Sequence, residues 1–278
     1  MSHHVGLIGD PVAHSKSPAL HNAAFAYYGI DARYELWPTV GDALADRVAS
    51  LRAPDTFGAN VTLPHKIAVI PLLDRLDPLV DVIGAVNTII READGTLSGA
   101  NTDAPAFLAS LQEDAGYAPE GQTAVVLGAS GAARAAVAAL MSANIAGVVV
   151  VNRTVERAEE LLADMLIAFD RDPHFVATTP DDPDLPTLFE GATLIVNATS
   201  LGWQAYETPL DAALISPGAL VYDMVYRPTR LLHEAAALGA HTHDGLGMLV
   251  RQAALAFERW TGKPGPLDVM RAAVEGKR

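Results

Sequence analysis

Four short segments carry polar side chains at spacings that suit a small anionic ligand and a proton transfer. The first reads Gly9-Asp10-Pro11-Val12-Ala13-His14-Ser15-Lys16-Ser17-Pro18. It ends at a helix start, with Ser17 suited to the N-cap and Pro18 to the first turn. Two hydroxyls, free N–H groups and the helix dipole make a seat for a carboxylate. A capped helix alone would account for Ser17 and Pro18, but not for Ser15, His14 or the later His21-Asn22. The second segment is Asn60-Val61-Thr62-Leu63-Pro64-His65-Lys66, in which a strand over 57–61 ends and Pro64 opens a helix expected over 65–73. The chain holds four lysines (Lys16, Lys66, Lys263 and Lys277) against fifteen arginines. A lysine in a first helical turn faces the wrong end of the dipole, so Lys66 is expected to have a task beyond solvation. The third and fourth, Gly84-Ala85-Val86-Asn87-Thr88 and Gly99-Ala100-Asn101-Thr102-Asp103, bring amides, hydroxyls and one carboxylate to strand ends. Parallel-sheet enzymes build their sites at such ends.

A separate pattern concerns a dinucleotide. Val125-Val126-Leu127 leads into Gly128-Ala129-Ser130-Gly131-Ala132-Ala133. A strand, a turn of small residues and a helix start form the arrangement in which the first glycine turns the chain and the helix N-terminus faces a pyrophosphate. Here Ser130 stands where the middle glycine of that pattern falls. NAD-binding chains carry Asp or Glu about 20 residues later for the ribose 2′-OH. This chain reads Asn152-Arg153-Thr154-Val155-Glu156-Arg157, with no carboxylate at the strand end and Thr154 suited to an N-cap. Two arginines four apart suit a 2′-phosphate, so the expected cofactor is NADP. The competing account is an exposed helix start with Arg157 weakly paired to Glu160.

These side chains need a scaffold, and the chain has the material for one. It has 278 residues, half of them hydrophobic and 19% charged, which suits two domains with real cores. A net charge of −14 disfavours nucleic acid and anionic membranes as main partners. Cysteine is absent, which removes disulfides, thiol catalysis and cysteine-ligated metals. No apolar run reaches membrane-span length and no export signal is visible, so the expected location is the cytoplasm. Strands are expected at 5–9, 33–37, 57–61, 86–91, 123–128, 147–152, 193–197 and 219–223. Helices are expected at 18–29, 42–52, 65–73, 104–115, 131–143, 155–168, 229–238 and 247–260. Such alternation predicts an α/β fold with parallel sheets covered by helices. The Pro- and Asp-rich stretch 171–187 is expected to be loop around at most one short strand. His241-Thr242-His243-Asp244 has too few ligands for a metal site, and none is expected.

Taken together, the motifs resemble the shikimate dehydrogenase family over essentially the full chain. The serine motif, N-V-T-x-P-x-K, G-A-V-N-T, N-T-D and N-R-T stand in order. Asn197-Ala198-Thr199-Ser200, Tyr222-Asp223-Met224-Val225-Tyr226 and Gly245-x-Gly247-Met248-Leu249-x-x-Gln252 follow them. The serine at 130 departs from the family's usual glycine. The resemblance implies two domains with an active-site cleft between them. Residues 1–105, completed by 246–278, would form the substrate-binding and catalytic domain, and 106–245 a Rossmann-type NADP-binding domain. It implies that Ser15 and Ser17 hold the shikimate carboxylate and that Asn60, Thr62, Asn87, Asp103, Tyr226 and Gln252 line the pocket. Lys66 and Asp103 would form the catalytic pair. Gly128, Ala129, Ser130, Gly131, Ala132, Asn152, Arg153, Thr154, Arg157, Thr199, Met224 and Gly245 would hold the cofactor. The implied reaction is reversible reduction of 3-dehydroshikimate in aromatic amino-acid biosynthesis. Quinate and amino-analogue dehydrogenases are the near alternatives. A non-catalytic NADPH sensor would be expected to lack Lys66 or Asp103, and both are present. A monomer and a homodimer are both compatible with the sequence.

Overall fold

The valine- and isoleucine-rich runs form two separate six-stranded sheets in the computed structural model, which describes residues 2–170, 174–203 and 206–275. The chain divides into two units, Met1–Asp103 with Val250–Arg278, and Ala104–Leu249. The elements of the first part are β1 (His3–Gly9), α1 (Ser17–Tyr28), β2 (Ala32–Pro38), α2 (Leu44–Ser50), β3 (Thr56–Val61), β4 (Arg75–Leu76), α3 (Pro78–Ile83), β5 (Thr88–Arg91) and β6 (Leu97–Ala100). Then come α4 (Asp103–Ala109), β7 (Thr123–Leu127), α5 (Gly131–Ser142), β8 (Gly147–Val151), α6 (Val155–Phe169), β9 (His174–Thr178), α7 (Leu185–Phe189) and β10 (Leu194–Asn197). The chain closes with β11 (Leu220–Asp223), α8 (Arg230–Ala237), β12 (His241–Asp244), α9 (Leu246–Thr261) and α10 (Leu267–Glu275).

The sheet of the second unit runs β9-β8-β7-β10-β11-β12, parallel throughout. Numbered within the unit this is 3-2-1-4-5-6, the order of the doubly wound Rossmann fold. Its strands show why. All five residues of β8, Gly-Val-Val-Val-Val, are buried, which requires cover on both faces of the sheet. In α5, Ala133, Ala135, Ala136 and Ala139 are buried, so the helix presents small side chains on several sides and can lie close to its neighbours. A core of Val125, Val149, Ile195, Val221, Leu231 and Phe189 fills one side of the sheet.

The first unit corrects the expectation of a purely parallel sheet. Its order is β2-β1-β3-β5-β6-β4, and β5 runs antiparallel to both β3 and β6. The β5–β6 pair is a hairpin. Asp94-Gly95 turns the chain with Gly95 at φ +84°, and β6 pairs straight back. Ile8, Val48, Leu51, Ala59, Val61 and Ile89 form the core beneath. Gly58, at φ +139°, lets β3 pass under the Ile89 carbonyl, which accepts the Trp260 indole N–H from α9 at 2.9 Å.

The helix expected over 65–73 is absent. Pro71 has no N–H to continue it. In addition, the Lys66 carbonyl accepts from Val86 N–H at 2.8 Å instead of from a residue one turn ahead. Only turns and a short 3-10 turn at Ile70–Leu72 remain. Of the stretch expected to be loop, 171–173 lie outside the described residues, and the rest contains β9 and the start of α7. The elements β4, β6, β12, α3 and α10 were not among those expected. No helix among the described residues is long and apolar enough to cross a membrane.

Candidate active site

In the first unit the ends of β1, β3, β5 and β6 bring most of the polar side chains singled out above into one hydrogen-bonded cluster. Lys66 Nζ donates to Asp103 Oδ2 at 2.5 Å, with 13% and 8% of the two side chains exposed. Asn87, from the loop into β5, sits at the centre. Its Nδ2 donates to Asp103 Oδ1 at 2.8 Å and to Thr102 Oγ1 at 2.9 Å. Its Oδ1 accepts from Thr102 N–H at 2.8 Å and from the Thr88 hydroxyl at 3.0 Å. Asp103 is steadied further because its own N–H donates to Asn101 Oδ1 at 3.0 Å. Asn60, at the end of β3, donates through Nδ2 to Asn87 O and Thr88 Oγ1, both at 3.1 Å. Thr62 follows half-buried, its N–H donating to Ile8 O at 2.8 Å.

The serine seat differs from expectation in one detail. Ser17 is the first residue of α1, Lys16 occupies the cap position, and no side chain caps the helix. Ser17 N–H donates instead to Ser15 Oγ at 3.2 Å, and the two hydroxyls lie 3.0 Å apart. Ser17 is buried and Ser15 half-buried, so two hydroxyls stand beside an uncapped helix N-terminus, as an anion seat requires. Lys66 likewise sits in a turn rather than in a helical first turn, so the dipole argument made for it from sequence does not apply. What singles it out is the short ion pair with Asp103. Gln252 is buried on α9 in the same unit. Tyr226 belongs to the second unit, where it meets Trp203 edge-on at 4.6 Å between ring centroids.

The second unit carries the dinucleotide pattern. Gly128 adopts φ +102°, and a Cβ there would press on Thr199 and the Ala198 carbonyl at 3.2–3.3 Å. Ser130 is the N-cap of α5 but makes no side-chain capping bond; its hydroxyl donates to Ala198 O at 3.4 Å. The first N–H groups of α5, from Gly131 and Ala132 onward, therefore keep their capacity for an anion. Asn152 Nδ2 donates to Thr154 O at 2.7 Å, and Thr154 caps α6 by position only, without a side-chain bond. Arg153 and Arg157 are exposed, and among the described residues neither forms an ion pair, the Arg157–Glu160 pair of the competing account included. Thr199 is held through its N–H and hydroxyl to Asn197 Oδ1 at 3.0 and 2.7 Å. Gly245 must be glycine because a Cβ would overlap the Met224 carbonyl. A glycine cradle, an uncapped helix and two unpaired guanidiniums fit a dinucleotide bearing an extra phosphate. No group of three or more His, Asp or Glu able to hold a metal occurs among the described residues.

Sequence reasoning assigned no role to three buried polar residues. Tyr34, on β2, donates its hydroxyl to Asn60 Oδ1 at 2.8 Å. His21, whose part in the seat was left open, stacks on Tyr34 with centroids 4.4 Å apart. Arg134 on α5 is buried and paired with Asp164 of α6. For Tyr34 the available signal was a tyrosine among the alternating side chains of an expected strand, which is weak by itself.

A doubly wound sheet with a glycine turn at a helix start in one unit, and a buried lysine–aspartate pair in the other, define a two-domain nicotinamide-dependent α/β oxidoreductase. Comparison with known proteins narrows the class. Residues 7–89 match the shikimate dehydrogenase substrate-binding domain, 110–172 the shikimate/quinate 5-dehydrogenase domain and 245–275 the shikimate 5′-dehydrogenase C-terminal domain. Shikimate dehydrogenase (NADP(+)) of Geobacter sulfurreducens is 44% identical, covering 97% of this chain and 95% of its own. A crystal structure of a shikimate dehydrogenase in complex with NADP+ has a TM-score of 0.90 at 35% identity, covering 99% of this chain and 96% of its own. Shikimate 5-dehydrogenase of Thermus thermophilus, in complex with NADP(H) and shikimate, has a TM-score of 0.84 at 40% identity, covering 98% of each chain. The chain belongs to the shikimate dehydrogenase family.

Proposed function

We propose that the chain reversibly reduces 3-dehydroshikimate to shikimate with NADPH, a step toward chorismate and the aromatic amino acids. The observation that carries this reading is the 2.5 Å Lys66–Asp103 pair, set beside Asn87 in one hydrogen-bonded cluster. Residues 1–105, completed by 246–278, act as the substrate domain, and 106–245 as the cofactor domain.

Ser15 and Ser17 donate to the substrate carboxylate. Asn60, Thr62, Asn87, Asp103, Tyr226 and Gln252 contact the ring hydroxyls and the C3 oxygen. Gly128 to Ala132 give backbone room and N–H donors to the pyrophosphate, and Arg153 and Arg157 take the 2′-phosphate, with Asn152 and Thr154 shaping their turn. Thr199, Met224 and Gly245 border the nicotinamide end. The cofactor, when bound, supplies the hydride that C3 receives. Lys66 Nζ then gives a proton to the C3 oxygen, and takes it back in the oxidative direction. Asp103 holds Nζ in place and can accept a hydrogen bond from a neighbouring substrate hydroxyl. Asn87, with both atoms of its amide committed, fixes Asp103 in turn. The low exposure of the pair keeps bulk water from competing for that proton.

The test is initial-rate oxidation of shikimate and of quinate, each with NADP+ and NAD+, for the native chain and Lys66→Ala. Turnover with shikimate and NADP+, reduced by about 100-fold or more in the variant, is expected. Turnover only with quinate or NAD+ contradicts the reading of the arginine pair. Cofactor binding without turnover contradicts the reading as a whole.

A further inference from the structure

We propose that Asn197 and Asp223 are positioning residues of the cofactor site: their side chains join the ends of β10 and β11 and tie the two following loops into one support for the nicotinamide end. The inference rests on the cofactor reading of the second unit. It concerns Thr199 and Met224, assigned above to that end, and Tyr226, which shares a loop with Met224.

Asn197 and Asp223 are the last residues of their strands, paired in register and fully buried. A doubly wound sheet takes its ligand at these carboxyl ends. Asn197 Nδ2 donates across the strands to Asp223 Oδ1 at 2.9 Å. Each side chain also turns back on the loop it starts. Asn197 Oδ1 accepts from the Thr199 N–H at 3.0 Å and from its hydroxyl at 2.7 Å. Thr199 Oγ1 accepts in turn from Leu201 N–H at 3.1 Å. Asp223 Oδ1 accepts from Val225 N–H at 3.0 Å, and Oδ2 accepts from the Thr229 hydroxyl at 2.7 Å. One carboxylate therefore holds the second loop at both ends. The Asn197 amide has one usable orientation, because a flip would turn its oxygen toward that carboxylate.

Beyond this joint the two loops touch directly. Gly202, at φ +95°, lies so near Thr229 that a Cβ would come within 2.9 Å of its methyl carbon. Trp203 meets Tyr226 edge-on, and the Arg227 guanidinium lies over the Trp203 ring at 5.5 Å. The first loop also meets the glycine turn, through the Ser130 hydroxyl on Ala198 O. A merely structural tie would not need the carboxylate. Backbone bonds already pair β10 with β11, and among the described residues no cation pairs with Asp223. Burying a carboxylate without a counter-charge is unfavourable. What it supplies is two oxygens that accept from three donors, which an amide with a single oxygen cannot match. Hydride transfer depends on such fixed directions, since a misplacement of about 1 Å can cost about 100-fold.

Asn197→Leu keeps the size of the side chain and removes the tie. The single-turnover rate constant for shikimate oxidation is read by stopped flow, with saturating NADP+ and enzyme in saturating excess over shikimate. It should fall by about 10- to 100-fold. This constant does not depend on the folded fraction, so lost protein cannot imitate the fall. The calorimetric Kd for NADPH should rise by about three- to tenfold. The Kd for shikimate without cofactor should stay within about threefold, because all its assigned contacts except Tyr226 belong to the first unit. Should Asn197→Leu fold poorly, Thr229→Val and Thr229→Ser are read in its place: valine removes the bond to Asp223 and serine keeps it. The valine variant should lose about three- to tenfold in the same rate constant, and the serine variant should match the native chain. An unchanged rate constant in folded Asn197→Leu, or equal values for the valine and serine variants, overturns the inference. A fall confined to reaction amplitude and thermal midpoint also overturns it, by marking a purely structural role. A native chain that binds NADPH but does not oxidise shikimate overturns the functional reading and this inference with it; an active native chain with an indifferent Asn197→Leu overturns the inference alone.

Discussion

Replacing Asp223 with asparagine should flatten the pH dependence of the second unit's stability between about pH 4 and 7. Asp223 ends β11 and is fully buried. Its Oδ1 accepts from Val225 N–H at 3.0 Å and from Asn197 Nδ2 at 2.9 Å, and its Oδ2 accepts from the Thr229 hydroxyl at 2.7 Å. Three donors favour the carboxylate, but burial outweighs them and neighbouring Asp244 adds to the rise. The pKa moves from an ordinary 3.8 up to about 6. In that interval the folded chain binds more protons than the unfolded one, so stability falls as pH rises. The contribution is fully present below pH 3.8 and lost above about 6. A difference of about two pH units, at ~1.4 kcal/mol each, makes this about 3 kcal/mol. Asparagine keeps the Oδ1 acceptor and the size and removes the titration. Hydrogen exchange of β10–β12, corrected for intrinsic rates and referred to β1 and β3, reads the unit's opening free energy. The native chain should lose about 3 kcal/mol from pH 4 to 7 and the variant under about 1. Parallel profiles would mean that Asp223 is ionised throughout, and the argument from burial would be wrong. Asp182, held low by the Thr178 hydroxyl, acts in the opposite sense: its contribution is present above 3.8 and lost on acidification, so it does not imitate the effect.

Asp103→Asn leaves Lys66 without its counter-charge; kcat for shikimate should fall by about 100- to 10,000-fold with KM for NADP+ unchanged, and steady-state kinetics check it. Arg153→Asp removes one guanidinium and sets a carboxylate at the end of β8. At about 1.5–3 kcal/mol per charge-assisted bond, kcat/KM with NADP+ should drop by about 10- to 150-fold. With NAD+ it should hold or rise, and equal losses with both cofactors would contradict the 2′-phosphate assignment. Gly58→Ala puts a methyl group onto the Ile89 carbonyl at a backbone angle of +139°. A loss of at least about 3 kcal/mol in the first unit is expected, visible as a lower thermal midpoint by circular dichroism.

The two units differed in how much their sequences disclosed. In the second, β7, β8, β10 and β11 are apolar runs buried on both faces, and periodicity alone finds them. The edge strands β9 and β12 are half exposed and carry histidines, so they look like loop. In the first unit the antiparallel return of β6 on β5 is decided by the Asp94-Gly95 turn, a signal that the α/β alternation masked. The false helix at 65–73 came from reading Pro64 as a start while Pro71 stood inside the span. Of the candidate site, the motif residues were visible because polar side chains at strand ends have few other uses. Tyr34 was not, because what defines it is a hydrogen bond from β2 to β3, a relation across 26 residues that no local pattern encodes. His21 had the same difficulty, since its effect depends on the Tyr34 ring face.

The distribution of charge explains why the two sites are built so differently. A chain of net charge −14 must attract anions at both. At the dinucleotide site, exposed arginines at the start of α6 do so cheaply, because a solvated guanidinium loses little hydration until a phosphate arrives. In the first unit the ligand must sit beside a residue that gains and loses a proton. Further buried cations there would favour the neutral amine of Lys66 and disturb its proton transfer. The serine pair and the cluster of Tyr34, Asn60, Thr88 and Asn87 use neutral hydroxyls and amides, each with its partners already assigned. Neutral donors held in fixed directions can bind a carboxylate without adding a field at Lys66. That arrangement works only while the donors keep their directions, and a single misassigned amide would turn a donor into an acceptor. Tyr34, whose hydroxyl donates to Asn60 Oδ1 at 2.8 Å, holds one of these amides in its direction.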